Sequence, residues 1–125
     1  MPTELPLRKT IIVESCPLLT HTISRRLHRQ GYEPIAAFDN GEEALDYWMY
    51  EINEPVLVLL GYALRGAYTG IHTAAAFLAM DRNRVLLITG WEKNAFENLT
   101  RTSSRCRHLG KPFTEQQLLS LLLEM

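Results

Sequence analysis

Few side chains in this sequence are both reactive in kind and placed where a fold could use them. An apolar run, Ile11-Ile12-Val13, ends on Glu14-Ser15-Cys16-Pro17, and a later one ends on Ile88-Thr89-Gly90. Near the C-terminus stands Gly110-Lys111-Pro112-Phe113. A carboxylate, two hydroxyls, a thiol and an ammonium thus fall where loops leave apolar runs, and α/β proteins keep their sites at such strand ends. The set falls short of what covalent catalysis requires. No nucleophile is accompanied by a convincing base, and no Gly-rich phosphate loop follows the first run. The two cysteines, Cys16 and Cys106, lack metal-ligand spacing. The sequence therefore argues against an enzyme and assigns neither a metal nor a cofactor.

The bulk properties narrow the field further. A chain of 125 residues fits one domain, 1–125, large enough to bury a core. With 46% apolar and 22% charged residues it has ordinary globular composition. A net charge of −1 gives no electrostatic case for nucleic acid or a membrane surface as partner. No apolar run approaches the length of a membrane span, and Met1 to Thr10 carries no signal-peptide core. The expectation is a reduced, cytoplasmic protein.

The elements that must position those side chains follow from periodicity. Ile11-Ile12-Val13 reads as a strand, and Leu19, Ile23 and Leu27 then mark one face of a helix that stops at Gly31. Tyr32 to Phe38 predicts a second strand, placed at an edge by Pro34. Asn40 predicts a helix cap, with Glu43 completing a capping box and Ala44, Leu45, Trp48, Met49 and Ile52 forming the apolar stripe. Val56 to Leu60 is apolar without alternation, as in a central parallel strand buried on both faces. A loop from Gly61 to Gly70 leads to a helix from Ile71 to Met80, then to a strand at Val85 to Ile88. The spacing predicts a short helix over Lys93 to Arg101, a last strand at Arg107 to Leu109, and a final helix opened by a Thr114/Gln117 capping box. Five strand–helix repeats predict a three-layer α/β fold with a five-stranded parallel sheet. Right-handed crossovers leave a few strand orders, among which the flavodoxin-like 2-1-3-4-5 is chosen on the residues at the strand ends and not on periodicity.

The strand-end segments, with Leu59-Leu60-Gly61 and Phe38-Asp39-Asn40-Gly41-Glu42-Glu43-Ala44-Leu45, resemble the two-component response-regulator receiver family from about Lys9 to Leu123. In that family two carboxylates after the first strand and an aspartate on the third hold Mg²⁺, and the aspartate accepts a phosphoryl group. A hydroxyl after the fourth strand and a lysine after the fifth bind phosphoryl oxygens. The resemblance maps Glu14 and Ser15 to the acidic pair, Gly61 to the phosphoacceptor, Thr89 to the hydroxyl and Lys111 to the lysine. His108 falls at the switch aromatic of the fifth strand.

Two of these positions depart from the pattern. Glycine at 61 offers no carboxylate to phosphorylate, and serine at 15 removes a metal ligand. The resemblance then implies a signalling domain that acts through a protein partner: a kinase, an effector domain or a second copy. An alternative keeps the pocket as a small-anion or metabolite site built on Lys111 and Thr89, and a flavodoxin-like enzyme is the remote third reading. Lys111 is expected to pair with Glu14, because an unpaired buried ammonium is expensive. Arg25, Arg26 and Arg29 with His21 and His28 make the first helix basic on its outer side, which suits a solvated face better than a binding site. At 100° per residue, the leucines from Leu118 to Leu123 and Met125 cover an arc about 200° wide, more than one sheet can bury. Leu119 and Leu123, at its edge, are the expected interface for a homodimer or a neighbouring domain.

Overall fold

The computed structural model describes residues 8–52, 54–80, 84–89 and 97–124, with backbone alone at 84, 86–89 and 102. Five strands and five helices alternate: β1 (Lys9–Val13), α1 (Pro17–Arg29), β2 (Glu33–Phe38), α2 (Gly41–Glu51), β3 (Leu57–Gly61), α3 (Gly70–Leu78), β4 (Arg84–Thr89), α4 (Glu97–Thr102), β5 (Cys106–Gly110) and α5 (Glu115–Leu123). All pairings are parallel and the strand order is β2-β1-β3-β4-β5. The expected doubly wound order is therefore the one observed.

The reason lies in β1 and β3, whose apolar runs face both ways. Val58 and Leu60 join Ile11, Val13, Trp48 and Phe77 in a core beneath α2 and α3. Leu57 and Leu59 join Ile12, Ile23, Leu27, Leu118 and Leu122 in a second core beneath α1 and α5. A strand buried on both faces must be central, and each face then needs its own helices. Pro34 lies on the edge strand, where its missing N–H costs nothing, and the β1·β2 register skips Ile35 between Thr10↔Pro34 and Ile11↔Ala36.

Local chemistry sets the boundaries. Pro17 opens α1, and Gly31 follows it at φ 89°, a left-handed conformation that suits glycine. Both halves of the Thr114/Gln117 box are present, at 3.1 and 2.8 Å. The Asn40 box is only half formed: Asn40 accepts from the Glu43 N–H at 2.8 Å, but the Glu43 side chain is exposed, and the backbone before the helix pairs with Arg65, whose N–H donates to the Asp39 carbonyl at 3.0 Å. A cap not predicted from sequence opens α3, where Thr69 and His72 exchange bonds in place of the usual Thr/Glu pair. That helix starts at Gly70, one residue earlier than its apolar pattern implies. Gly70 sits hard against β3: a Cβ there would meet the Gly61 carbonyl and lie 2.9 Å from the Tyr62 Cα. The last strand is one residue longer at each end than predicted. Of the helix expected from Lys93, residues 93–96 lie outside the described residues.

Candidate functional site

Parallel register brings the ends of β1 and β3 together. Val13 pairs with Leu60, so Glu14 and Gly61 are the next residues in line. Gly61 contributes no side chain, and Glu14 occupies the room this leaves. A Cβ built on Gly61 would lie 2.5 Å from Glu14 Oε1 and 3.2 Å from its Cδ. Only 6% of the Glu14 side chain is exposed. Its carboxylate is held from two directions: Oε2 accepts the Cys16 N–H at 3.2 Å, and Oε1 lies 3.7 Å from Lys111 Nζ. The predicted Glu14–Lys111 pair is therefore present. It is lopsided, because 32% of the Lys111 side chain reaches solvent.

Ser15 does something different from the residue it aligns with. Its hydroxyl donates to the Ala63 carbonyl at 2.8 Å, tying the β1–α1 loop to the chain leaving β3. A carboxylate in that place could accept or ligate but could not donate to a carbonyl. The switch-position residue His108 is half-buried on β5, with Leu87 as its register partner. Thr89 closes β4 beside Gly110, but its side chain lies outside the described residues. A cleft of about 710 Å³ between α1 and β2 opens past Glu14 and Ser15.

The Mg²⁺ that the resemblance implies does not fit these residues. Such an ion wants an octahedron of oxygens at close range. Here one Glu14 oxygen faces an ammonium, the other accepts an N–H, the Ser15 hydroxyl is committed as a donor, and position 61 is bare. Among the described residues no cluster of three His, Cys, Asp or Glu could hold a metal.

No protein-family model and no curated protein matches the chain. Solved structures do. The chain is similar to the signal receiver domain of a modulated diguanylate cyclase from Desulfovibrio desulfuricans G20, at 29% identity and TM-score 0.78, over 95% of this chain and 92% of that one. It is also similar to the N-terminal domain of a response regulator/sensory box/GGDEF three-domain protein from Carboxydothermus hydrogenoformans, at 27% identity and TM-score 0.75, over 94% and 91% of the two chains. The chain is thus similar in fold and in sequence to response-regulator receiver domains. A DNA-binding response regulator of the LuxR family from Staphylococcus aureus shares the fold, at 21% identity and TM-score 0.78, over 94% and 98%. These likenesses support a receiver-like role in signal transduction.

The remaining sequence-predicted residues are on α5. Leu118 and Leu122 are buried against the sheet, Leu119 and Leu121 are half-buried, and Leu123 is 77% exposed. The apolar arc is wider than the face the sheet covers, as its width implied. Sequence reasoning missed Arg105, whose guanidinium donates to the Leu78 and Met80 carbonyls at 2.7 and 3.2 Å and so caps the end of α3. Its position in a polar tract gave no sign of that role. Among the described residues no helix is long and apolar enough to cross a membrane.

Proposed function

We propose that this receiver domain signals by binding a protein partner and does not accept a phosphoryl group. The observation that carries the reading is the Glu14 carboxylate, seated in the space a side chain at position 61 would need and paired there with Lys111. In a phosphorylating receiver that space must hold a nucleophilic carboxylate, an adjacent metal and an incoming phosphate. Here an internal carboxylate already answers the lysine. The Ser15–Ala63 hydrogen bond supports the same reading, since it joins two loops directly without a shared cation. Acetyl phosphate or beryllofluoride with Mg²⁺ should leave the protein unchanged in mass and in spectrum. A gain of one phosphoryl group, labile at high pH as an acyl phosphate is, would sink the reading.

The outward edge of α5 is the contact surface this reading assigns. Leaving a leucine such as Leu123 in water forgoes roughly 1.5–3 kcal/mol relative to burial. A two-fold contact would recover that contribution on both copies. Leu119→Glu with Leu123→Glu should abolish such a dimer while the fold survives. Sedimentation as a monomer at every concentration, with or without these substitutions, would remove α5 as a homodimer interface.

A further inference from the structure

The two helices that flank the site end of the sheet carry opposite charge without admixture. Helix α1 contains Arg25, Arg26 and Arg29 with His21 and His28, and no Asp or Glu. Helix α2 contains Glu42, Glu43, Asp46 and Glu51, and no Lys, Arg or His. The buried residues of α1 pack in one core and those of α2 in the other, so the helices lie on opposite faces of the sheet. Within one molecule His21 and Glu43 both line the cleft along β2, yet among the described residues no ion pair joins the two helices.

Their outward faces are complementary in more than sign. At 100° per residue, the exposed side chains Leu18, His21, Arg25, His28 and Arg29 fall within an arc of about 100° on α1. On α2 the exposed Glu43, Asp46, Met49 and Tyr50 fall within about 120°. Each face also bears apolar groups at one end: Leu18 is 74% exposed at the start of α1, and Tyr50 is 76% exposed, with Met49 beside it, near the end of α2. Leu18 and Arg25 are seven residues apart, as are Tyr50 and Glu43, so both spacings come to about 10.5 Å along the helix. Laid antiparallel, Leu18 meets Tyr50 and Met49, His21 meets Asp46, and Arg25 meets Glu43. Among the described residues, His21, Arg25, Glu43 and Asp46 have no ion-pair partner within the molecule.

From this match we infer that the α1 face of one copy docks on the α2 face of a second copy. Because the two patches differ and their helices pack on opposite faces of the sheet, the contact is heterologous. Each copy keeps one free face of each kind, and association continues head to tail rather than closing at a dimer. The contact does not involve α5 and stands or falls apart from the function proposed above.

The test is sedimentation velocity of the full chain across a concentration series, performed in the Leu119→Glu/Leu123→Glu background so that α5 cannot contribute. In low salt, about 0.02 M, the mean mass should keep rising past that of a dimer. In about 0.5 M salt the association should weaken about tenfold, the weight of two exposed ion pairs. Added to that background, Leu18→Ser with Arg25→Ser should give a folded monomer, and so should Asp46→Ser with Tyr50→Ser. Mixing the two proteins should produce a one-to-one complex that grows no further, since each retains only one working face. Three results would each overturn the inference: a parent protein that stays monomeric in low salt, association that survives either pair of serine substitutions, or a mixture that remains two monomers.

Discussion

Replacing Gly61 is the sharpest probe of the site, because the glycine and Glu14 share one space. The Gly61 backbone is not in the left-handed region, so alanine meets no conformational objection there. Its Cβ would nevertheless stand 2.5 Å from Glu14 Oε1, whereas ordinary contact begins near 3.4 Å, a shortfall of about 0.9 Å. Glu14 must swing away and give up its bond from the Cys16 N–H and its approach to Lys111. A lost hydrogen bond to a charged group costs about 1.5–3 kcal/mol. Replacing glycine returns about 0.5–1 kcal/mol of backbone entropy. Gly61→Ala should therefore destabilise by about 1–2 kcal/mol in urea denaturation. The same substitution in a Glu14→Ala background should cost nothing or stabilise slightly, and the difference is the coupling between the two positions. Equal effects in the two backgrounds would refute the claim that Glu14 fills the space at position 61.

Gly61→Asp carries the same argument into chemistry. It adds a second carboxylate where one is already held. Two like charges about 4 Å apart repel by about 4 kcal/mol at an effective dielectric constant of 20. The new aspartate displaces Glu14 or keeps a proton, and neither outcome builds a metal site. Mg²⁺-dependent phosphorylation by acetyl phosphate should stay absent in Gly61→Asp. It should appear only when Glu14→Asp withdraws the longer side chain and Ser15→Asp supplies the second ligand. Robust phosphorylation of Gly61→Asp alone, read by intact mass, would show that Ser15 and Glu14 are no obstacle.

Three further outcomes follow from single contacts. Lys111→Met should destabilise more than Glu14→Gln, by about 2–4 against about 1 kcal/mol, since the first strands a buried carboxylate and the second leaves a lysine that can turn to water; denaturation midpoints giving the reverse order would contradict the asymmetry. Burial pushes the Cys106 thiol up to about 11, whereas Cys16 is exposed; at pH 8 a thiol reagent should modify one cysteine quickly and the second only on unfolding, and two fast equivalents would count against this packing. Thr114→Ala removes the acceptor for the Gln117 N–H at the start of α5 and should cost about 1 kcal/mol; an unchanged melting temperature would mean that the box contributes nothing.

The fold was legible because its determinants are local. Apolar runs of five residues without alternation at Val56–Leu60, a proline in the second strand, and Pro17, Gly31 and Thr114 at helix ends each specify a state within a few residues. Errors arose where a bond depends on what lies opposite. Glu43 stands at the third helical position after Asn40, yet the Asn40 backbone pairs with Arg65, a residue 25 places away. His72 closes a capping box because its ring nitrogen accepts where a carboxamide or carboxylate usually does, so the standard pattern passes over it.

The site was legible as a set of positions and illegible as an arrangement. Residue types alone identified that Gly61 lacks a carboxylate and that Ser15 is not a metal ligand of the usual kind. They could not reveal that these two departures and Glu14 form a consistent set. That depends on the β1·β3 register, which sets residue 14 beside residue 61 across 47 places of sequence. A glutamate is one methylene longer than an aspartate, and at the end of β1 that length carries its carboxylate over the bare glycine. With an aspartate at 61 the same glutamate would be crowded and repelled. With glycine there, a shorter acid at 14 would leave a gap and place the lysine farther from its partner. The longer acid and the absent side chain therefore make sense only together, and the Gly61/Glu14 coupling energy is the number that measures how tightly.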